Sequence, residues 1–207
     1  MAAPPTAVRP RPTSVPTGDT AGRILAATAT CVAAQGLRAT SVDDIAREAG
    51  CARATVYRLF PAGRTGLLAA AVELEIGAVL EAAASAADSQ EDLAGAVAAA
   101  VQASCAALAS HAALQRLLTE EPGVVLPHIS FDNLDPLLAR SGAWGVEHLG
   151  RFLEPDQAAA VGEWCARVVL AHLRSPGSPT DTTDLVAVRR LVDRHLVPGL
   201  PVAGRTR

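Results

Sequence analysis

The segment from residue 40 to residue 60, TSVDDIAREAGCARATVYRLF, restricts the fold of this chain more than any other. Apolar positions in its first half recur at i, i+3, i+4 and i+7, which predicts one short amphipathic helix. They are Val42, Ile45, Ala46 and Ala49. Gly50 supplies the residue that a helix end prefers, so a second helix is expected over residues 53–60. The segment therefore predicts two short helices joined by a tight turn.

The two predicted helices have different candidate functional residues. Thr40 or Ser41 is the predicted N-cap of the first, because a hydroxyl there accepts a free N–H of the first turn. On the second, Val56 and Phe60 are spaced i, i+4 and are expected to face inward. The residues this turns outward are Arg53, Thr55, Tyr57 and Arg58. Such a face, without a carboxylate, suits a groove lined with phosphates. The alternative is a solvated helical hairpin with no partner.

The order of residues resembles a known family. Ser-Val-x-x-Ile-Ala-x-x-Ala-Gly followed by x-x-Arg-x-Thr-Val-Tyr-Arg-x-Phe-Pro is similar to the helix-turn-helix of TetR-family bacterial repressors, and the likeness is strongest over residues 19–80. The resemblance implies a homodimer that binds a double-stranded DNA operator with an inverted repeat and responds to a small effector. Ala52 departs from the family, which commonly has a capping Ser there, and Gly66 can loosen the turn after Arg64.

The resemblance and the predicted geometry together give a set of DNA-binding residues. Tyr57 and Arg64 are expected to contact phosphates, while Arg53, Ala54 and Thr55 are expected to face base edges. Arg58 suits either role. The complete predicted set is Thr40, Ser41, Arg53, Ala54, Thr55, Tyr57, Arg58 and Arg64.

Composition predicts an all-α fold. Half of the 207 residues are hydrophobic but only 3% are aromatic, so the core must be built mainly from Ala, Leu and Val. Such a core favours closely packed helices. We expect a disordered Pro-rich arm at 1–18, the helix-turn-helix domain at 19–80, a helical ligand-binding and dimerisation domain at 81–200, and a flexible tail at 201–207.

Charge is distributed unevenly between the two halves. Residues 1–64 contain eight Arg against four acidic residues, while residues 65–207 contain ten Arg against seventeen. A positive end beside a negative body places the nucleic-acid surface in the first part of the chain.

Two terminal amphipathic stripes lie at 161/164/165/168/172 and at 185/188/192. The resemblance implies that two such helices form the dimer interface, and the alternative is that both complete the core of the monomer. Effector binding is implied for the second body, where charges are few, and a hydrophobic or amphipathic effector is expected. The candidate lining residues are the large side chains Leu118, Phe131, Trp144, His148, Phe152 and Trp164.

No catalytic or metal-ligating pattern is present in the sequence. The cysteines Cys31, Cys51, Cys105 and Cys165 show no CxxC spacing, and no nucleophile or phosphate-binding motif occurs. We therefore expect no enzyme activity, no cofactor, no metal and no membrane partner, in a cytoplasmic protein. Two alternatives remain: a redox-responsive regulator using Cys51 or Cys105, and a helical small-molecule carrier or enzyme that does not bind DNA.

Overall fold

The computed structural model describes residues 18–125, 134–174 and 181–200. Within these ranges the regular secondary structure is helical and no β-strand occurs, so the all-α prediction is confirmed. The helices are α1 (Asp19–Gln35), α2 (Val42–Glu48), α3 (Arg53–Leu59), α4 (Gly63–Asp88), α5 (Leu93–Ser110), α6 (Ala112–Glu120), α7 (Pro122–Val125), α8 (Leu134–Leu149), α9 (Pro155–Arg174) and α10 (Leu185–His195), followed by a short 3-10 helix (Val197–Gly199). The predicted N-terminal arm, apart from Gly18, and the predicted tail lie outside the described residues.

Buried side chains form two main clusters that share α4. The N-terminal core joins α1, α2, α3 and the first half of α4 around Ile24, Ile45, Val56 and Leu67. The C-terminal core joins the second half of α4 to α5, α8, α9 and α10. The boundary predicted at residue 80 falls inside α4, which is one continuous helix of 26 residues. The two cores are thus connected by a helix and not by a loop.

Helix α2 begins with a reciprocal cap. The Ser41 hydroxyl oxygen accepts the backbone N–H of Asp44 at 3.1 Å, and the Asp44 carboxylate accepts the backbone N–H of Ser41 at 3.0 Å. This capping box satisfies two donors that the helix itself leaves free. Hydrogen bonds from the Ser41 hydroxyl and backbone, and then from Arg47, lower the pKa of Asp44 to about 2. Of the two predicted caps, Ser41 serves this role.

The turn after α2 is closed by Gly50. Its φ of 63° lies in the left-handed region, and its N–H donates to the Arg47 carbonyl at 3.2 Å. The Cys51 N–H reaches back to the Ala46 carbonyl at 2.9 Å, so the pair forms a Schellman motif. This turn sets the angle at which α3 leaves α2.

Helices α8 and α9 pack with their backbones almost in contact. A Cβ added to Gly145 would lie 2.1 Å from the Ala158 carbonyl oxygen, and one added to Gly162 would lie 2.1 Å from the Ser141 carbonyl oxygen. Only glycine fits at either position, because a methyl group would overlap backbone atoms.

Helix α8 contains glycines without interruption. It is continuous from Leu134 to Leu149. Gly142 and Gly145 both lie on the side of α8 that packs against α9, so the missing side chains permit the close contact.

Most of the apolar side chains of the terminal stripes lie inside a single chain. Val161, Cys165, Val188 and Val192 are buried in the C-terminal core. Their burial supports the alternative that the two terminal helices complete the core of the monomer, and these four side chains are not free to pack against a partner. The stripe residue Leu185 and its neighbour Val186 are exposed at the first turn of α10.

One helix of the described residues, α5, is long and apolar enough to cross a membrane by length and composition alone. More than half of it is buried inside the protein, as in the core helix of a folded domain.

We predict opposite effects for two Gly→Ala substitutions. Gly145→Ala should lower the free energy of unfolding by about 2 kcal/mol or more, because its methyl overlaps the Ala158 carbonyl. Gly77→Ala, in α4 with nothing within 4 Å of the added Cβ, should raise it by about 0.5–1 kcal/mol. Urea unfolding measures both, and a mild effect of Gly145→Ala would contradict the close packing of α8 on α9.

The capping box predicts a pH-dependent effect of Ser41→Ala. At neutral pH the substitution should cost about 1 kcal/mol of stability. Because the pKa of Asp44 is lowered in the folded state, its contribution is present above pH 3.8 and is lost as the pH falls to about 2. Urea unfolding across this range should show the wild type approaching the variant. A constant difference at all pH values would contradict the role of Asp44.

Candidate nucleic-acid interface

Helix α3 is fixed by the residues it buries. Val56 is fully buried and Phe60, immediately after the helix, is 3% exposed, both within the N-terminal core. This confirms the inward face expected from their spacing. Ala52 precedes α3 and makes no side-chain cap, as its departure from the family pattern implied. Its carbonyl accepts the N–H groups of Thr55 at 2.8 Å and Val56 at 3.4 Å, which closes the first turn.

The outer face of α3 is open to solvent. Arg53, Ala54, Tyr57 and Arg58 are exposed and Thr55 is half-buried. Among the described residues, Arg58 makes no hydrogen bond or ion pair. Five of the eight predicted DNA-binding residues thus share one face of one helix, and their contact with DNA stays a prediction.

An acidic residue of α2 meets this face. The Arg53 Nη1 atom lies 2.8 Å from Asp43 Oδ2 and 3.1 Å from Asp43 Oδ1, while Nη2 donates to the Tyr57 hydroxyl at 3.3 Å. The guanidinium carbon lies 5.4 Å from the centre of the Tyr57 ring, within cation–π range. The Tyr57 hydrogen bond and then the Asp43 charge raise the pKa of Arg53. Asp43 was missed as a site residue because ten positions separate it from Arg53.

Three further predicted contacts lie at the edges of this face. Ser41 is exposed at the start of α2. Arg64, exposed near the start of α4, donates through Nη2 to the Leu37 carbonyl oxygen in the turn between α1 and α2. Thr40 is 3% exposed, its hydroxyl donates to the Gly36 carbonyl at 2.7 Å, and its N–H donates to the Leu37 carbonyl. Both of its donors are therefore occupied inside the protein, which corrects the prediction of Thr40 as a DNA contact.

The same turn is held by helix α6 of the second body. Arg116 donates through Nη1 to the carbonyls of Ala33 at 3.2 Å and Ala34 at 2.8 Å, at the end of α1. The Glu121 carboxylate accepts the backbone N–H of Arg38 at 3.2 Å from both oxygens. A cation at the carbonyl end of α1 and an anion at a free N–H are both favourable. The helix-turn-helix is thus connected to the second body by α6 as well as by α4.

The predicted effector residues that the structure describes lie in different surroundings. Trp144 is buried and donates through Nε1 to the Leu80 carbonyl at 3.2 Å, and its ring lies 5.4 Å from that of His148. Phe152 and Trp164 pack partly buried against the C-terminal core. Leu118 is half-buried on α6, and Phe131 lies outside the described residues.

A groove of about 250 Å³ is formed elsewhere, between α5 and α10. Leu185, Val186 and Arg189 contribute to its lining, and none of the five described effector candidates does. The assignment of the effector site stays a prediction.

The cysteines carry no pairing. All four are free, with Cys31 and Cys165 buried and Cys51 and Cys105 half-buried. Burial raises the pKa of Cys165 to about 12 and also raises the pKa values of Cys31 and Cys105, which keeps these thiols protonated at neutral pH. In the described ranges, no group of three or more His, Cys, Asp or Glu is placed to hold a metal ion.

Known proteins resemble this chain most clearly in sequence over the segment that contains α2 and α3. Residues 24–71 match the model of the bacterial regulatory proteins of the tetR family. An uncharacterized HTH-type transcriptional regulator of Mycobacterium bovis is 45% identical over 62 residues, 30% of this chain and 32% of the relative. One from Mycobacterium tuberculosis H37Rv is 49% identical over 47 residues, 23% of this chain and 25% of the relative. The chain therefore matches about a third or less of the length of these curated relatives.

Solved structures extend the similarity of fold to most of the chain. The TetR family repressor AlkX of Dietzia sp. superposes with a TM-score of 0.67 at 17% identity, covering 84% of this chain and 93% of that one. The fatty acid degradation regulator FadR of Bacillus halodurans superposes with a TM-score of 0.57 at 18% identity, covering 87% and 98%. Residues 24–71 are therefore similar in sequence to the helix-turn-helix of the tetR family, and the described chain shares the fold of a TetR family repressor.

Proposed function

We propose that this protein is a ligand-responsive transcriptional repressor that acts in the cytoplasm and binds an inverted-repeat DNA operator as a homodimer. One observation carries the proposal: α3 buries Val56 in the N-terminal core and presents Arg53, Tyr57 and Arg58 to solvent. A short helix held this way, with cationic and hydroxyl groups outward, is the geometry by which helix-turn-helix proteins enter the major groove.

The contacts divide by chemistry. Arg53 lies at the N-terminal end of α3, the end that approaches base edges, and the small Ala54 beside it permits close approach. Thr55, half-buried next along the helix, completes this group. Tyr57 accepts a hydrogen bond from Arg53 and keeps its own proton for a phosphate oxygen.

Three further residues complete the proposed contacts. Arg64 is anchored through one nitrogen on the Leu37 carbonyl, which leaves its other donors for the DNA backbone. Ser41, at the exposed start of α2, is the proposed backbone contact on the opposite side. Arg58, exposed on α3, suits either a phosphate or a base.

The proposed effector is a hydrophobic or amphipathic small molecule that binds the helical second body. The support is the low number of charges in its apolar runs, and the large side chains Leu118, Phe131, Trp144, His148, Phe152 and Trp164 remain the proposed lining. Two proteins of the same fold carry names that refer to biodegradation of n-alkanes and to fatty acid degradation. Movement of α4 and α6 is the proposed route to the helix-turn-helix, because both helices contact it directly.

The alternatives have less support. A redox-responsive regulator would need an accessible cysteine whose thiol pKa is lowered. Burial instead raises the pKa of Cys105, one of the two candidates. For a carrier or an enzyme without DNA binding, the arginine-bearing face of α3 would have no purpose. We therefore propose that the protein is a regulator and not an enzyme.

We predict that two arginine substitutions weaken DNA binding differently. Arg64→Ala should lower affinity for every duplex and reduce the slope of log affinity against log salt by about one, as expected for a lost phosphate contact. Arg53→Ala should cost about 1–3 kcal/mol on a duplex selected by the wild type and should relax preference at one base pair of each half-site. Fluorescence anisotropy with selected and random duplexes measures both. Arg140→Ala on α8, outside the last two helices, is the control with equal charge change.

Equal loss of affinity for selected and random duplexes in Arg53→Ala would refute its role at base edges. A change in Arg140→Ala as large as that in Arg64→Ala would show that total charge, and not position, decides binding.

The proposed homodimer forms through the exposed surfaces of the last two helices. Val192 is unsuitable for a test because it is buried in the monomer, whereas Val186 is 57% exposed at the start of α10. Val186→Asp should produce monomers in sedimentation, since a carboxylate cannot be buried unpaired in an apolar interface. Val72→Asp, 38% exposed on α4, should remain dimeric. An unchanged dimer in Val186→Asp would place the interface elsewhere.

A further inference from the structure

We propose that Asp43 is a specificity-determining residue of the DNA-binding face, which positions the Arg53 guanidinium and directs it toward base edges instead of phosphates. The inference rests on the proposed DNA-binding function. It assigns a role in that function to a carboxylate of α2, beside the side chains of α3.

The guanidinium of Arg53 is held from two directions. Its Nη1 atom contacts both carboxylate oxygens of Asp43, at 2.8 and 3.1 Å, and its Nη2 atom donates to the Tyr57 hydroxyl at 3.3 Å. Because both terminal nitrogens have partners, the free protein favours one orientation of the guanidinium plane before any DNA approaches. A pre-oriented side chain loses less freedom on binding than a mobile one.

The pair has little importance for stability. The side chains of Arg53 and Asp43 are 57% and 58% exposed, and ion pairs at such surfaces contribute little to folding. The ion pair matters instead for the choice of group that Arg53 binds on DNA. The two residues stand on the face of the protein that the proposed complex turns toward DNA.

Phosphates and base edges meet this pair differently. A phosphate that approaches Arg53 is repelled by the Asp43 carboxylate, because both groups are negative and lie well within a Debye length of about 8 Å. A guanine edge is uncharged and offers two acceptors to an arginine fork. The carboxylate therefore penalises sequence-independent contacts more than base contacts, and an unfavourable term against the wrong partner is a general source of specificity.

Helix α2 supplies a matched control. Glu48 is exposed on the same helix and carries the same charge, but it forms no ion pair with Arg53. Asp44 is unsuitable because its carboxylate caps α2. Asp43→Asn and Glu48→Gln therefore remove equal charge from α2, and only the first removes the charge beside Arg53.

The test measures affinity for two duplexes, one selected from a random pool by the wild-type protein and one of random sequence. Glu48→Gln should raise both affinities by a similar factor and leave their ratio unchanged. Asp43→Asn should raise affinity mainly for the random duplex and lower the ratio by about tenfold, a part of what one arginine–guanine pair contributes. Its salt slope on the random duplex should steepen by about one, since Arg53 then neutralises a phosphate.

A second comparison shows whether Asp43 acts through Arg53. In the Arg53→Ala background, Asp43→Asn should change the ratio no more than Glu48→Gln does. A ratio that stays unchanged in Asp43→Asn, or an effect that persists without Arg53, would overturn the proposal. If the wild-type protein bound neither duplex at low salt, the proposed function itself would fail, and that result is distinct from binding with an unchanged ratio.

Discussion

The burial of Val56 and Phe60 is the constraint on which the proposed DNA-binding face depends. Helix α3 has seven residues, too few to be stable alone in water, so its existence and its orientation come from tertiary packing. With these two side chains fixed among Ile24, Ile45 and Leu67, the rotation of α3 about its axis is set. Every outward residue, from Arg53 to Arg58, takes its direction from that anchor.

The anchor is itself positioned by local structure that the sequence specifies closely. The capping box of Ser41 fixes where α2 begins, and the positive φ of Gly50 fixes how α2 turns into α3. Both features depend on residues a few positions apart, which explains why the helix-turn-helix and its inward face could be predicted. The spacing of apolar residues along the sequence indicates the inward face because an α-helix repeats about every 3.6 residues.

Features formed by distant residues could not be predicted in the same way. The pairing of Asp43 with Arg53 depends on how two helices meet, and the buried position of Thr40 depends on the turn that follows α1. In α8, no local pattern indicates that Gly145 lies against α9, where its missing side chain permits close contact. Burial of the stripe residues Val188 and Val192 within one chain was likewise decided by neighbours that no pattern in α10 reveals.

The second body reaches the DNA-binding face through two rigid connections. One is α4, continuous from Gly63 to Asp88, and the other is the pair Arg116 and Glu121 at the end of α6, which binds the end of α1 and the turn after it. A shift of α6 relative to α4 would strain the turn that Arg64 also contacts. The proposed effector, bound to the second body, would therefore act on α3 through these hydrogen bonds and helix contacts.

The central claim is that the outward face of α3 enters the major groove. Protection of guanine N7 atoms from methylation by dimethyl sulfate tests it most directly, because this atom lies in the major groove. On a duplex selected by the wild-type protein, we expect protected guanines in two symmetric half-sites, with the protection lost in Arg53→Ala. Binding without any protected guanine, or no association with duplex DNA at low salt, would contradict the account.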